Sequence, residues 1–289
     1  MAKTAFIGLG AMGARMASNL IKAGHRVTVF DPAPEAVKKL AASGAHTAKS
    51  ARAAAEGNDF VIAMVRDDDT SRKVWLDATE GALLGMHPGA VAIECSTISP
   101  VWARELGEHL IKASLGMLDA PVSGSTPQAQ DARLVFLVGG EAETLKRSEI
   151  VLKSMGSTVR HAGPVGAGAL AKLVTNTLMG VQLSTIAEMI GMLQKHGVDA
   201  QLVLDAVKAT PLWSPHLSDD VSHMLAGDFE TRFPIKLLLK DLNYTIDAAG
   251  GATSAPTVSK VHDVFQKAAD EKLGDLDMTA VVKLFEHRG

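Results

Sequence analysis

The sequence predicts an α/β fold in which an N-terminal doubly wound, mostly parallel sheet is followed by an all-helical C-terminal domain. Short apolar runs alternate with helical patterns over the first half of the chain, as in a parallel sheet with crossover helices. A glycine-rich turn joins the first apolar run to the first helical pattern, and strand patterns stop after residue 163. These three observations together predict the fold class.

The first half of the chain supplies the strands. Apolar runs bounded by turn residues predict strands at 4–10, 26–31, 60–65, 90–96, 117–122 and 134–139. Helical patterns cover 12–23, 34–42 and 99–113; Gly24 and Gly44 follow the first two, and a Ser-Pro pair opens the third. Such units predict crossover connections within one sheet.

The second half carries helical patterns only. They cover 169–196, 199–208, 233–249, 256–269 and 278–286. The pattern changes at a glycine-rich segment, 163–168, and such segments are typical of domain boundaries. We therefore expect one domain over residues 1–163 and a second over residues 164–289.

Composition argues against several classes of protein. The 29 basic and 32 acidic residues leave a net charge of −3, so no basic surface for nucleic acid or membranes is expected. Hydrophobic residues make up 47% and aromatic residues 4% of the 289 residues, which favours aliphatic side chains between helices and parallel strands. One cysteine, no N-terminal leader pattern and no apolar run of membrane-spanning length predict a cytoplasmic protein.

A phosphate-binding turn is predicted where the first strand meets the first helix. Its residues, spaced G-x-G-x-x-G, are Gly8, Leu9, Gly10, Ala11, Met12 and Gly13. In Rossmann-type domains the first glycine permits a tight turn, the second lets a pyrophosphate approach, and the third lets helix and strand pack closely. The helix N-terminus then directs N–H groups at the phosphates. The alternative is a glycine-rich turn without a ligand.

Asp31 ends the second predicted strand, eighteen residues after Gly13, where a carboxylate that binds the adenosine ribose is expected. A carboxylate accepts hydrogen bonds from the ribose hydroxyls and repels a 2′-phosphate. The next residue is Pro32, and neither Arg26 nor Lys38 directly follows the strand. We therefore expect NAD rather than NADP; the alternative for Asp31 is a helix cap or turn residue.

Lys172 is the only charged residue between Gly166 and Gln182. An ammonium group in apolar surroundings gives up its proton more readily, which suits proton transfer. Asn176 lies four residues further, on the same helix face, where it could orient a substrate or the lysine. The alternative is a lysine whose ammonium reaches water and an asparagine bound to backbone.

A segment that we call the polar loop begins within the fifth predicted strand and extends beyond its end at residue 122. Its residues are Asp119, Ala120, Pro121, Val122, Ser123, Gly124 and Ser125. Ligands of open parallel sheets bind at the carboxyl ends of the strands. Backbone N–H groups and serine hydroxyls at this edge are therefore expected to bind a small carboxylate.

Four segments, in this order, resemble the β-hydroxyacid dehydrogenase family, which includes 3-hydroxyisobutyrate dehydrogenase and tartronate semialdehyde reductase. The resemblance covers the whole chain. The segments are the glycine turn with the preceding Phe6 and Ile7, the loop from Asp119 to Gly124, residues 166–176 with Lys172 and Asn176, and Lys240-Asp241-Leu242.

The resemblance implies NAD-dependent oxidation of a small 3-hydroxy acid, such as 3-hydroxyisobutyrate, or reduction of the matching semialdehyde. Lys172 would be the general base in oxidation and the general acid in reduction. Asn176 would position the substrate, and Ser123 with Gly124 would hold its carboxylate.

The resemblance also implies cofactor contacts outside the glycine turn. Met64 and Val65 end the third predicted strand. Ser96 ends the fourth and Thr97 follows it, near the expected nicotinamide ribose. Lys240 would face the cofactor from the helical domain. The alternatives are strand-end capping for the serine and threonine and a surface salt bridge for the lysine.

Four positions depart from the family pattern. Ser125 stands where many members have a second glycine, Ala132 where glycine is frequent, Arg66 where proline is common, and Thr175 where asparagine or histidine is often found. Ser125 adds a hydroxyl and a Cβ to the carboxylate loop, so the preferred acid can differ from that of relatives. Trp213 is expected either to cover the substrate or to pack in the helical core.

No metal site is expected. Asp67, Asp68 and Asp69 directly follow a strand, as residues of a solvated turn and helix cap do, and the 10 histidines lack ligand spacing. Cys95 has no adjacent histidine or lysine and is predicted to be a small strand residue.

The same residues argue against two other classes of function. An NADPH-dependent glyoxylate or succinic semialdehyde reductase is disfavoured by Asp31, and an imine reductase by Lys172. A cofactor-binding protein without activity is disfavoured by the joint presence of Ser123, Lys172 and Asn176. The expected partners are NAD and a small hydroxy acid, and a Met-rich helical domain favours a homodimer or homotetramer.

Overall fold

The computed structural model describes residues 1–286. The chain divides into two compact units, Met1–Lys172 and Leu173–Gly289. The first contains a doubly wound sheet and the second consists of helices, which confirms the predicted fold class.

A mixed, mostly parallel sheet forms the centre of the first unit. Its strands are β1 Lys3–Ile7, β2 Arg26–Phe30, β3 His46–Thr47, β4 Phe60–Ala63, β5 Val91–Glu94, β6 Gly116–Asp119, β7 Val122–Ser123, β8 Leu134–Gly140 and β9 Gly156–Gly163. Their spatial order is β3-β2-β1-β4-β5-β6-β8-β7, with β9 beside β8. All neighbours from β3 to β6 are parallel, whereas β8 is antiparallel to β6 and β7. The order β3-β2-β1-β4-β5-β6 is that of dinucleotide-binding sheets, which bind ligands at the carboxyl ends of their strands.

Helices cover both faces of this sheet. They are α1 Gly13–Lys22, α2 Pro34–Ala41, α3 Ala51–Ala55, α4 Asp68–Leu76, α5 Pro100–Lys112, α6 Thr126–Gln130 and α7 Ala142–Met155. Successive strand side chains point to opposite faces, so Phe6 packs in one core layer with Met16 of α1, and Ile7 packs in the other with Trp102 of α5. With two apolar faces, the strands are continuous hydrophobic runs.

The second unit has a helical core of its own. Helix α8 Ala167–Lys195 contains the division between the units, and α9 Ala200–Lys208, α10 Pro215–Ala226, α11 Ile235–Ala248 and α12 Pro256–Ala268 follow. A π-helical turn at Ala269–Leu273 and a 3-10 helix at Met278–Leu284 end the described chain. Leu183, Leu238, Phe265 and Val281 are fully buried in this core.

The six predicted strands and most predicted helices are present, with ends that differ by a few residues. Strands β3, β7 and β9 were not predicted. The first two are two residues long, too short for a periodic pattern, and β9 is largely exposed and mixes Thr, Arg and His with its apolar residues. The helices that were not predicted are α3, α4, α6, α7 and α10.

Within residues 1–286, no helix combines the length and apolar character that a membrane crossing requires. The longest helix, α8, is interrupted by polar side chains along its length.

Candidate active site

The glycine turn lies between β1 and α1, and each of its glycines has a distinct surrounding. Gly8 has a φ of 91°, and a Cβ there would lie 2.3 Å from Met64 O. A Cβ on Gly13 would lie 2.0 Å from Gly8 O, whereas a Cβ on Gly10 would meet no atom within 4 Å. The fold itself therefore requires the first and third glycines, while the second keeps space open beside the turn, as a bound pyrophosphate needs.

Helix α1 begins at this turn without a side-chain cap. Met12 is its N-cap residue, and its side chain supplies no hydrogen bond to the helix N–H groups. Gly10 and Ala11 are exposed, while Leu9 is buried under the turn. An uncapped helix N-terminus next to open space presents backbone N–H groups to an anion, so the turn fits the phosphates of a dinucleotide.

Asp31 directly follows β2 and fastens the turn to it. Its Oδ2 accepts a hydrogen bond from Leu9 N–H at 2.6 Å, and its Oδ1 accepts one from Ala33 N–H at 2.7 Å. Each carboxylate oxygen retains a second lone pair, so this turn-fastening role is compatible with binding of ribose hydroxyls.

A cavity of about 540 Å³ lies beside Asp31, and Lys38 and Lys49 are among its lining residues. Lys49 follows the short strand β3, so the sequence pattern gave no sign that it shares this cavity.

The ends of β4 and β5 lie next to the turn. Met64 and Val65 follow β4 and are half-buried, as is Thr97 after β5. Ser96 is fully buried, and its Oγ accepts a hydrogen bond from Val65 N–H at 2.7 Å. The hydroxyl of Ser96 therefore joins two strand ends, as the strand-end capping alternative for this residue describes.

The three consecutive aspartates after β4 include the predicted helix cap. Asp67 is the N-cap of α4 and accepts a hydrogen bond from Thr70 N–H at 2.9 Å. Asp68 accepts hydrogen bonds from Ser99 N–H at 2.8 Å and from Ser99 Oγ at 2.6 Å. These carboxylates connect α4 with the start of α5.

Asp119, the last residue of β6, connects the polar loop to the start of α8. Its fully buried carboxylate accepts hydrogen bonds from Gly166 N–H at 2.9 Å and from Ala169 N–H at 2.8 Å. Burial raises the pKa of Asp119 to about 6, although these backbone N–H groups oppose the rise. One carboxylate thus fixes both the first residue of the loop and the helical turn that precedes Lys172.

The polar loop itself is built around Gly124. This residue has a φ of 119°, a conformation that favours glycine, and Ser123 beside it is half-buried. Ser125, with a φ of −109°, needs no glycine and precedes α6. Its N–H and Oγ both donate to Gln128 Oε1 of α6, at 3.0 and 2.9 Å. The hydroxyl proton of Ser125 is therefore already donated to a neighbouring side chain.

Ala132, a departure from the family pattern, has a φ of 53° after the end of α6. A left-handed conformation costs a non-glycine residue about 1–2 kcal/mol, of which the greater freedom of glycine in the unfolded chain offsets part. We predict that Ala132→Gly stabilises the protein by about 0.5–1 kcal/mol in urea unfolding. As a control, Ala53→Gly on an exposed position of α3 should destabilise it by about 1 kcal/mol, and a loss of stability in Ala132→Gly would contradict the prediction.

Lys172 lies in the second turn of α8 and is half-buried. It is the last residue of the first unit. The two hydrogen bonds from Gly166 and Ala169 to Asp119 hold the turn before it.

Asn176, one helical turn after Lys172, is buried and belongs to the second unit. Its Nδ2 donates to Asp241 Oδ2 at 2.6 Å, so a carboxylate binds it, and not the backbone. Asp241 Oδ1 lies 3.1 Å from Lys240 Nζ, and the Asp241 side chain is 2% exposed. The Lys240 salt bridge is therefore present, but with a buried carboxylate and not a surface one.

Trp213 is half-buried at the edge of the second unit's core. Its Nε1 donates to Ser218 Oγ of α10 at 2.9 Å. This contact supports the packing alternative for the tryptophan.

The sequence pattern predicts no functional role for three carboxylates that are buried in the structure: Glu94, Asp119 and Asp241. Glu94 and Asp119 are the last residues of β5 and β6. A single acidic residue at the end of an apolar strand is the signal that could have found them, since burial there is expensive without a hydrogen-bonded role.

Comparisons with known proteins identify the family to which the chain is similar. A family model described as the NAD binding domain of 6-phosphogluconate dehydrogenase matches residues 3–163. A second, described as NAD-binding of NADP-dependent 3-hydroxyisobutyrate dehydrogenase, matches residues 166–285.

Several relatives are similar over almost their whole length. The NAD-dependent L-serine dehydrogenase of Pseudomonas aeruginosa is 36% identical and aligns with 99% of this chain and 98% of its own. A probable 3-hydroxyisobutyrate dehydrogenase of Mycobacterium tuberculosis is 38% identical over 100% and 99% of the two chains. The solved structure of the M. tuberculosis 3-hydroxyisobutyrate dehydrogenase with L-serine is 37% identical, covers 99% of this chain and 100% of that one, and has a TM-score of 0.89. The chain therefore belongs to the 3-hydroxyisobutyrate dehydrogenase-like family of NAD(P)-dependent hydroxyacid dehydrogenases, enzymes that transfer hydride between the cofactor and the CH–OH group of a hydroxy acid.

Proposed function

We propose that this enzyme oxidises a short 3-hydroxy acid, 3-hydroxyisobutyrate or L-serine, with Lys172 as the general base. The observation that carries the proposal is the Asp119 carboxylate, which joins the start of the Ser123–Gly124 loop to the turn preceding Lys172. Asp119 thus holds in place both the loop proposed to bind the substrate carboxylate and the turn before the lysine proposed to move the proton, within the first unit. An enzyme that holds both groups in place favours substrates with one particular distance between the carboxylate and the reacting hydroxyl.

In this proposal the substrate carboxylate lies against the N–H groups and hydroxyl at Ser123 and Gly124, and Asn176 orients the substrate. Lys172 takes the hydroxyl proton during oxidation and returns it during reduction. NAD, when bound at residues 8–13 and Asp31, supplies the hydride chemistry. The Asp241 carboxylate keeps the Asn176 amide in one orientation, because it accepts from Nδ2.

We propose further cofactor contacts at Met64, Val65 and Thr97, which follow β4 and β5 beside the glycine turn. Ser96 is fully buried, and the cofactor contact expected for it stays a prediction. The contact expected for Lys240, and the substrate contacts expected for Ser125 and Trp213, stay predictions. The same holds for the division into an NAD-binding domain at 1–163 and a substrate domain at 164–289.

A homodimer or homotetramer in the cytoplasm is part of the proposal. Its support is the exposure of large apolar side chains in the second unit, with Leu202 69% and Leu212 90% exposed in the single chain. Large apolar side chains that are exposed in a single chain are candidates for burial between subunits.

A dehydrogenase screen with both dinucleotides tests the proposed function. The substrates are 3-hydroxyisobutyrate, L-serine, glycerate and 4-hydroxybutyrate, and the measurement is kcat/KM from NADH or NADPH formation. A hydroxyl one carbon further from the carboxylate is displaced by about 1 Å, which costs on the order of 100-fold in rate. We therefore expect a 3-hydroxy acid to exceed 4-hydroxybutyrate by at least about tenfold, with NAD preferred to NADP. A preference for 4-hydroxybutyrate would overturn the substrate class, and a preference for NADP would overturn the role of Asp31.

A further inference from the structure

Glu94, the last residue of β5, is a fully buried carboxyl group without a part in the proposed chemistry. Burial raises its pKa, and hydrogen bonds from the side chains of Ser71, Ser96 and Trp75 oppose the rise. A buried carboxyl group is unfavourable unless its oxygens are hydrogen-bonded. The partners of its two oxygens therefore indicate what it does.

One oxygen, Oε2, joins helices α4 and α5 to the end of β5. It accepts hydrogen bonds from Ser71 Oγ at 2.6 Å and from Trp75 Nε1 at 2.8 Å, both in α4. Ser71 Oγ in turn accepts from Trp102 Nε1 of α5 at 2.9 Å. Both indoles are fully buried, so this oxygen satisfies polar groups inside a packed layer and stabilises the fold.

The other oxygen, Oε1, binds the residues at the carboxyl edge of the sheet. It accepts from Ser96 N–H at 2.8 Å, and Ser96 Oγ accepts from Val65 N–H at 2.7 Å. Because Ser96 is itself fully buried, its hydroxyl supports the backbone of Val65.

The support continues from Val65 to the glycine turn. Met64 N–H donates to Ile7 O at 2.9 Å, and a Cβ on Gly8 would lie 2.3 Å from Met64 O. Gly8 is therefore packed directly against the Met64 carbonyl. In an interior of this density, a shift of the 64–65 backbone displaces the first residue of the turn.

We propose that Glu94 is a positioning residue for NAD binding. Its Oε1 holds Ser96, Ser96 holds Val65, and this relay keeps the 64–65 backbone and the glycine turn in the geometry that binds the cofactor. Glu94 acts through these residues without touching the cofactor. The relay is separate from the bonds of Oε2, which hold the two helices.

Glu94→Gln tests the relay at its origin. The amide has one acceptor oxygen and one NH₂ donor. Two donors, Ser71 Oγ and Trp75 Nε1, face the Oε2 position, so the amide oxygen is favoured there, and the NH₂ then faces Ser96 N–H and the first hydrogen bond of the relay is lost. We expect the Kd for NADH, measured by fluorescence titration of the full chain, to rise about tenfold, which corresponds to about 1.4 kcal/mol. Glu105→Gln is the matched control, since it makes the same change on α5 in the exposed pair with Arg72; its Kd should stay within about twofold of wild type.

Ser96→Ala separates the relay from the packing of the helices, because it removes the acceptor for Val65 N–H and keeps both bonds to Oε2. Its Kd for NADH should also rise about tenfold, and the double variant should bind no more weakly than the weaker single variant, since both break one relay. A Kd within twofold of wild type in Ser96→Ala would overturn the proposal, even if Glu94→Gln failed to fold. Additive effects, with about a hundredfold loss in the double variant, would overturn it as well.

Discussion

Replacing Lys172 with methionine is expected to lower kcat for oxidation of the hydroxy acid by a factor on the order of 10² to 10⁴. Methionine keeps an unbranched side chain of similar length but cannot accept the hydroxyl proton, so oxidation must proceed without a positioned base. Helix α8 stays anchored by Asp119, which bonds to the backbone of Gly166 and Ala169. The Kd for NAD should therefore change little. Steady-state kinetics combined with an NAD titration measures both quantities.

Two further variants separate proton transfer from charge. Lys172→Arg keeps a positive charge, but a guanidinium does not give up its proton at neutral pH, so it should be nearly as inactive as the methionine variant. Lys195→Met changes an exposed lysine at the end of the same helix and should leave kcat unchanged.

The pH dependence of the wild-type enzyme supplies an independent readout for Lys172. Oxidation needs the neutral amine and should speed up as pH rises, whereas reduction needs the ammonium and should slow down.

Turnover in Lys172→Met within about threefold of wild type would mean that another group moves the proton.

The parts of the fold that could be predicted from the sequence are those with a local signal. Six strands of the first unit are apolar runs because both faces of the sheet are covered, and the glycine turn combines short-range backbone requirements at Gly8 and Gly13. Strands β3 and β7 have two residues each and exist because a neighbouring strand offers hydrogen bonds. No pattern in so short a segment predicts its pairing partner.

The candidate site shows the same limit. Asp31 was predicted because its position in a motif is fixed, but Asp119 binds Ala169 across 50 residues and Asp241 binds Asn176 across 65. The sequence shows which residues are acidic, but it does not show which distant residues lie beside them in the fold. Their roles depend on which strand end or helix the topology brings beside them, and this information enters only with the fold.

Alanine at Gly13 and alanine at Gly10 are expected to differ in their effect on stability, with a large loss in the first variant and little change in the second. In Gly13→Ala the new Cβ would lie 2.0 Å from Gly8 O, so β1 and α1 must separate, at a cost of about 3 kcal/mol or more of unfolding free energy. In Gly10→Ala no atom lies within 4 Å of the new Cβ, and the unfolding free energy should change by less than about 0.5 kcal/mol.

Measuring the affinity for NADH in the same variants tests whether the glycine turn binds the cofactor. The methyl group of Gly10→Ala fills the space that the second glycine keeps open, so the Kd for NADH should rise on the order of 100-fold in a protein of normal stability, a change of about 2.7 kcal/mol. Isothermal titration and urea unfolding of both variants measure the two effects separately. If Gly10→Ala bound NADH as tightly as wild type, the open space would not be where the pyrophosphate lies, because a methyl group and a phosphate oxygen cannot share one volume. The stability loss of Gly13→Ala would then be explained by packing alone, and the glycine turn would be a structural feature of the sheet.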